Sequence, residues 1–310
     1  MLALIRPVLL AAAASLLLQL VAASLGMAGT LIQLLIPVPL ALVVMSGGLP
    51  AGGMTTFVIF VVLWFTGGPA AMAVFALQYA APALFLAELL RRGLAWEKAV
   101  AVGVVAVFAL CAAGLALYAG WVDRPLMDLV GGYLQSEIDT AMQMGEAGQL
   151  SPEQLDRYRE VVTGMGELLR STFVGWALLV IEVMLAVQVF FLHRLGKGRF
   201  LIAGCEFRRF KTPEWLIWPL IAAGFAAVLG GGALRVVGLN ALIVLLPVYF
   251  LQGMAIVAWF FARKGVPPVM RGAGYVLIAL VNPLPLLVTG LGVFDLWVDF
   301  RAPRLKQNKS

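Results

Sequence analysis

Apolar residues run through this chain in long unbroken blocks rather than in the short patterns of a soluble protein. A membrane-crossing helix needs about 20 mostly apolar residues, and the blocks do not alternate with the period of two that membrane β-strands require. The pattern predicts an all-α polytopic membrane protein of eight or nine spans. The blocks lie near residues 8–27, 29–46, 54–67, 70–90, 97–121, 172–193, 214–233, 238–262 and 272–297.

Glycine and proline interrupt the pattern at three places. The short block 54–67 has SGGLPAGG before it and TGGPAA after it, so it either crosses with a tilt or is partly enclosed by protein. Helix breakers are tolerated at membrane depth where neighbouring helices satisfy the freed backbone groups. Pro283 and Pro285 interrupt the last block, which either crosses the membrane or folds into a re-entrant hairpin.

The polar stretch 122–171 predicts two antiparallel helices outside the membrane. Ser151, Pro152 and Gln154 form a capping signature at the start of the second helix. Apolar residues recur at helical spacing on both sides of the turn GEAGQL. The hairpin either extends the neighbouring spans or lies on the bilayer surface. Its stripes are Leu126, Val130, Leu134, Ile138 and Met142, then Leu155, Tyr158, Val162, Met165 and Leu169.

Composition supports the membrane interpretation, and charge gives the orientation. The chain is 62% hydrophobic and 12% charged, about half the charged fraction of a soluble protein. Its basic residues flank the apolar blocks, so the pI of about 9.6 reflects topology and not nucleic-acid binding. A cytoplasmic N-terminus with an uncleaved first helix puts 13 of the 22 basic residues inside and the acidic stretch 122–171 outside. The basic C-terminal tail is also expected on the cytoplasmic side by its charge, but nine full spans would place it outside.

Five regions follow from this organisation. They are membrane helices one to five at 1–121, the extracytoplasmic hairpin at 122–171, a sixth helix at 172–193, a basic cytoplasmic loop at 194–213, and C-terminal membrane helices with a basic tail at 214–310.

Four stretches in chain order carry a family resemblance. They read LGMAGTLIQLLIPVPLALVVMSGG, FRRFKTPEWLIW, GLNALIVLLPVYFLQGMAIVAWFF and GLGVFDLWVDFRAPR, and the last contains a GxxDxxxDxR pattern. The chain resembles the YybS-like family of uncharacterised bacterial inner-membrane proteins, which is distantly similar to the S subunits of energy-coupling-factor vitamin transporters. The resemblance implies a bacterial inner-membrane location and a six-helix core over residues 8–193, with added C-terminal helices. It implies no catalytic or ligand residues.

Glu182 lies near the middle of the sixth predicted span, and Gln188 follows on roughly the same face. An unpaired carboxylate costs at least ~2.5–3.5 kcal/mol in lipid, so Glu182 is expected to face the protein interior. Two interpretations stay open. It forms a ligand or proton site at mid-depth, or it has a structural role. In the structural role it is either protonated and hydrogen-bonded to a neighbouring helix or drawn towards a water-filled crevice.

Other polar residues also fall within apolar blocks. Each is expected either to link helices, as amides commonly do in membranes, or to line a polar ligand cavity together with Glu182. They are Gln19, Gln33, Gln78, Tyr79, Asn240 and Gln252.

Asp295, Asp299 and Arg301 form the most specific motif. Positions 295 and 299 share a face if the helix continues that far. One of the two aspartates is expected to pair with the basic loop 194–211 as a latch for the last helix. The alternative is a docking surface for a partner protein.

No motif for catalysis, metal binding or phosphate binding is present, and the single histidine, His193, sits at a span end. We therefore expect no enzyme activity, cofactor or metal. The expected function is a transport-related subunit that binds a small molecule, lacks its own ATPase and works with membrane or ATPase partner subunits. The alternative is a membrane scaffold or assembly protein that binds envelope partners.

Overall fold

A computed structural model describes residues 2–147, 151–196 and 198–302, and within these ranges the regular structure is entirely helical. Short 3₁₀ turns and one π-helical segment, Ala76–Ala80, connect the α-helices. The α-helices are α1 Leu2–Ser24, α2 Thr30–Gln33, α3 Pro37–Phe75, α4 Ala81–Arg91, α5 Trp96–Trp121, α6 Leu126–Ala147, α7 Pro152–Ser171, α8 Phe173–Leu195, α9 Ile217–Leu229, α10 Gly232–Arg263, α11 Pro268–Leu280 and α12 Leu284–Val298.

Several helices are long and apolar enough to cross a membrane. Within the described part of the chain there are five, and the bent pair of α11 and α12 makes a sixth if it counts as one span. These helices confirm the prediction of a helical multi-pass membrane protein. The five are Leu4–Ser24, Thr30–Arg91, Trp96–Trp121, Phe173–Leu195 and Gly232–Arg263.

Two glycines break α3 where the sequence has its glycine-rich turns. Gly48 has φ 74° and ψ −175°, and Gly68 has φ 68° and ψ −165°. Side chains with a Cβ almost never adopt this backbone region. Pro50 and Pro69 follow closely, and both suit the first turn of a new helix. The glycines therefore end one helical section of α3 and allow the next to begin.

The chain reverses direction at both breaks. In a continuous helix residues 60 and 75 would be about 22 Å apart along the axis, yet the rings of Phe60 and Phe75 have centroids 6.5 Å apart. Likewise, a Cβ on Gly52 would overlap the Val44 side chain, eight residues earlier. The residue pairs are centred on the two breaks, so adjacent sections of α3 pack as hairpins.

The structure separates into two compact units. Unit 1 takes in the chain up to Arg170 together with Val180–Gly204, and unit 2 takes in Ser171–Leu179 and the chain from Cys205 onward. Unit 1 contains most residues of the predicted six-helix core. The likeness of that core to an S subunit stays a prediction.

Within unit 1, α6 and α7 pair as an antiparallel hairpin. The Tyr158 hydroxyl donates to the carbonyl of Ala141 at 2.8 Å. The predicted capping box is present, because the Ser151 N–H donates to Gln154 and the Gln154 N–H to Ser151. One stripe position differs from the prediction: Met165 is exposed, and Gly166 packs against Ile138 instead. Residues 148–150 of the predicted turn lie outside the described residues.

Within unit 2, α9 packs along the first half of α10 and α12 crosses its second half. Close approach depends on glycines, because a Cβ on Gly253 would overlap the Val288 carbonyl and one on Gly292 would overlap the Tyr249 carbonyl. Such small residues let membrane helices approach backbone to backbone. A bend of 101° separates α11 from α12 at the predicted proline interruption.

The backbone requirement at Gly68 gives a first prediction. Gly68→Ala is expected to destabilise the protein by about 1–3 kcal/mol, the cost of a side chain in this backbone region. Gly53→Ala in the same helix is the matched control, because a Cβ meets no atom within 4 Å at either glycine and only Gly68 has a positive φ. Thermal unfolding in detergent measures both. Equal melting temperatures for the two variants would contradict the requirement.

Candidate functional site

Helix α8 places Glu182 and Gln188 on its buried side. Glu182 is 6% exposed, and Gln188 is fully buried. Leu185, which lies between them, and Leu192, which follows Gln188, are also fully buried. These positions follow helical spacing, so one face of α8 turns inward within unit 1. Leu185 packs directly onto α5, where a Cβ on Gly103 would lie 2.9 Å from its Cδ1.

Both polar side chains on this face have unsatisfied hydrogen-bonding atoms. Glu182 Oε2 and both amide atoms of Gln188 are buried without a hydrogen-bond partner among the described residues. Leaving a buried polar group unpaired costs about 1–3 kcal/mol. Such groups are rare in native proteins, and each requires an explanation such as a bound ligand or water. The same state is found at Gln19 Oε1, Glu88 Oε2, Glu97 Oε2 and the Tyr249 hydroxyl. Glu182 and Gln188 differ from these in lying together on one buried helix face.

Gln78 and Tyr79 lie in the π-helical segment of unit 1. In an α-helix the N–H of residue 82 would donate to the carbonyl of Gln78. Pro82 has no N–H, and this explains the local change from α-helical to π-helical pitch. Tyr79 is buried and its ring packs 5.6 Å from that of Phe75. Isolated π turns occur often at functional sites. The segment therefore offers two polar side chains on a distorted part of the helix.

Leucines beside these two pairs contact α5 at different levels. Leu77 packs against Gly114, and Leu185 packs against Gly103. The two glycines are about 16 Å apart along α5, at 1.5 Å per residue. The structure thus places Glu182 with Gln188 and places Gln78 with Tyr79, at separate levels of one unit.

Asn240 in unit 2 links two helices. Its side-chain oxygen accepts from the Gly175 N–H at 2.6 Å, and its amide nitrogen donates to the carbonyls of Ser171 and Val236 at 3.0 and 2.8 Å. The amide thereby satisfies backbone groups at the start of α8. Its hydrogen-bonding capacity is used within the protein.

Gln252 belongs to a buried group in unit 2 that we call the C-terminal polar cluster, consisting of Thr212, Gln252, Asp295 and Arg301. The Gln252 oxygen accepts from both the N–H and the hydroxyl of Thr212. Its nitrogen donates to Asp295 Oδ2 at 3.1 Å. Gln252 and Asp295 are both fully buried. The amide therefore connects a loop to the last helix through α10.

An ion pair completes the C-terminal polar cluster. Arg301 Nη2 lies 2.6 Å from Asp295 Oδ2. Arg301 Nη1 donates to the carbonyls of Phe210 and Arg208 at 2.8 and 3.2 Å, and the Phe300 N–H donates to Asp295 Oδ1 at 3.0 Å. These contacts hold the chain end against the loop before α9.

This geometry differs from the predicted pairing of an aspartate with the basic loop. Asp295 pairs with Arg301, and Arg301 reaches the loop through backbone carbonyls. Asp299 does not share a helical face with Asp295, because α12 ends at Val298 and Asp299 adopts a left-handed conformation with φ 43°. The side chain of Asp299 is exposed.

Sequence reasoning missed Thr212 and the glycine pair Gly253 and Gly292. Thr212 lies in a basic loop, where periodicity gives no signal. Gly292 is the glycine of the GxxDxxxDxR pattern, and that spacing was the available clue to the crossing of α10 and α12.

No metal centre appears among the residues that the structure describes, since no three His, Cys, Asp or Glu side chains come together there.

Comparison with protein families gives one match. The model of the family described as "Predicted membrane protein (DUF2232)" matches residues 13–296. The chain belongs to this family. The DUF2232 match takes in both units and includes Glu182, Gln188 and Asp295, but it ends before Asp299 and Arg301. Neither the curated proteins nor the solved structures contain a match.

The ion pair gives a second prediction. Asp295→Asn removes the countercharge of a guanidinium whose side chain is only 11% exposed. Breaking a buried pair in this way typically costs about 3–5 kcal/mol, so the melting temperature should fall markedly. Asp299→Asn, an exposed position in the same motif, should unfold like the wild type. Similar losses in both variants would show that the pair has no special role.

Proposed function

We propose that this DUF2232 protein is a transport-related subunit that binds a small molecule in unit 1, beside Glu182 and Gln188 of α8. The observation that supports the proposal is a pair of buried side chains in which Glu182 Oε2 and both amide atoms of Gln188 have no hydrogen-bond partner among the described residues. A ligand that hydrogen-bonds to them would offset the cost of burying them. The protein would act with partner subunits that supply energy.

The two side chains define the chemistry of the ligand. Gln188 presents an N–H donor and a carbonyl acceptor, and Glu182 presents a carboxyl group. Six residues separate them, which is about 9 Å along the helix axis. The ligand is therefore a small polar molecule with hydrogen-bonding groups at both ends.

The proposed topology has eight or nine crossings. The reversals at Gly48 and Gly68 divide Thr30–Arg91 into three sections, each near the length of a membrane span. The N-terminus lies in the cytoplasm of a bacterium and the hairpin of α6 and α7 outside, as the positive-inside rule favours. The first six spans form the core that resembles an S subunit.

A scaffold that binds envelope partners is the second candidate. The exposed side of α7 carries Val161, Met165 and Leu168, which recur at helical spacing. Exposed apolar stripes of this kind are typical of interaction surfaces. In this alternative the hairpin binds a partner protein and unit 1 needs no ligand.

Mass spectrometry of the full chain, purified gently from its native membrane, distinguishes the two candidates. The binding proposal predicts a stoichiometric small molecule, together with an ATPase or a membrane coupling subunit. Envelope proteins recovered with a ligand-free chain would instead support the scaffold and contradict the binding proposal.

Substitution of Gln188 gives a third prediction. Gln188→Leu keeps the side-chain volume but removes two unpartnered polar atoms, so the ligand-free protein should be as stable as the wild type or more stable. The bound small molecule should be lost. Asn240→Leu is the matched control and should lower stability by about 1–3 kcal/mol, because it leaves backbone groups unpaired. A destabilised Gln188→Leu protein that keeps its ligand would overturn the proposed site.

Glu182→Gln gives a fourth prediction. The variant should remain folded without ligand but show less ligand-dependent thermal stabilisation, because the amide changes the hydrogen bonds offered at that position. Glu182→Leu tests whether any polar atom is needed there. Loss of stability in the ligand-free Glu182→Gln protein, with ligand stabilisation unchanged, would assign Glu182 a purely structural role.

A further inference from the structure

Helix α1 and the middle section of α3 leave an apolar groove on the surface of unit 1. Gly53 forms part of its floor, because a Cβ placed there meets no atom within 4 Å. Most of its side chains are exposed. The groove is lined by Ile5, Val8 and Leu9 on one side and by Gly53, Met54 and Phe57 on the other.

Positive charge is concentrated at one end of this groove. Arg6 lies between groove residues of α1, is exposed, and has no ion pair within the described chain. The guanidinium of Arg91 lies against Gly48, where the middle section of α3 begins. The start of a helix adds a partial positive charge there. Leu4 also packs near Gly47, so this end of α1 and the break at Gly48 are neighbours.

The acidic residue in this region does not neutralise these charges. Glu88 lies 3.6 Å from Arg91 and 2.8 Å from Arg92, so one carboxylate faces two guanidinium groups. Arg6 is an additional positive charge. The surroundings therefore favour an anion beside the groove.

We propose that the groove binds one anionic phospholipid, with an acyl chain along Gly53 and Phe57 and the phosphate near Arg6 and Arg91. The apolar lining suits a hydrocarbon chain, and the basic end suits a phosphate headgroup. A second copy of the protein is a poorer occupant, because its own Arg6 and Arg91 would add positive charge beside the same end. The site is separate from Glu182 and Gln188.

Native mass spectrometry of the full chain in detergent tests this site. The protein is titrated with phosphatidylglycerol and with phosphatidylcholine that carry the same acyl chains. The wild type should retain phosphatidylglycerol preferentially. Arg6→Gln should reduce that preference by about fivefold, the factor that corresponds to about 1 kcal/mol for one basic residue near a membrane surface. Arg124→Gln, an exposed arginine elsewhere on unit 1, is the charge control and should behave like the wild type.

Filling the groove tests the acyl-chain half of the site. Gly53→Leu should lower retention of both lipids, because its side chain occupies the floor. Gly120→Leu is the size control, since a Cβ there also meets no atom within 4 Å. Met54→Trp fills the groove from the adjacent position and provides a second test if Gly53→Leu is poorly folded.

Three results would overturn the assignment. They are equal retention of the two lipids by the wild type, unchanged preference in Arg6→Gln, and unchanged retention in both groove-filling variants. A wild type that is dimeric and a Gly53→Leu variant that is monomeric, with equal lipid binding, would assign the groove to a second copy of the chain.

Discussion

The hydrogen-bonding requirement of the peptide backbone in an apolar solvent controls this structure. A bilayer offers no water to a peptide group that has left a helix, so each helix end or break must find partners within the protein. Buried and partly buried polar residues of unit 2 largely serve this purpose. Asn240 satisfies groups at Ser171 and Gly175, and Gln252 satisfies the N–H of Thr212. The ion pair of Asp295 and Arg301 likewise supports the backbone before α9 and after α12.

This requirement divides the buried polar side chains into two groups. Residues of one group hydrogen-bond to the backbone or to another buried side chain, and these bonds explain why a polar residue occupies the position. Glu182 and Gln188 belong to the other group, because Glu182 Oε2 and both amide atoms of Gln188 have no hydrogen-bond partner among the described residues. Gln19 and Tyr249 each have one such atom as well. The contrast between Asn240 and Gln188 is informative. Both are amides within membrane helices, yet one is fully bonded and the other is not. That difference, and not burial alone, is the reason for proposing a ligand site at α8.

Glycine has two separate uses in this fold. At Gly48 and Gly68 it supplies a backbone conformation that other residues avoid, and the chain reverses there. At Gly253 and Gly292 its backbone is ordinary, and the missing side chain lets α10 and α12 touch. Without the first use, residues 30–91 would form a helix far longer than a bilayer is thick. Without the second, Asp295 would not reach Gln252.

The sequence by itself determined the membrane class, the helical content, the breaks near Gly48 and Gly68 and the capping box at Ser151, because each follows from local composition or from contacts within a few residues. It also indicated which polar residues were unusual for their position. Only the tertiary structure decided which partners those residues have. Asn240 meets residues about 65 positions away, and Arg301 meets carbonyls about 91 positions away. Periodicity along one helix carries no information about such partners, so it could not separate the backbone-satisfying residues from Glu182 and Gln188.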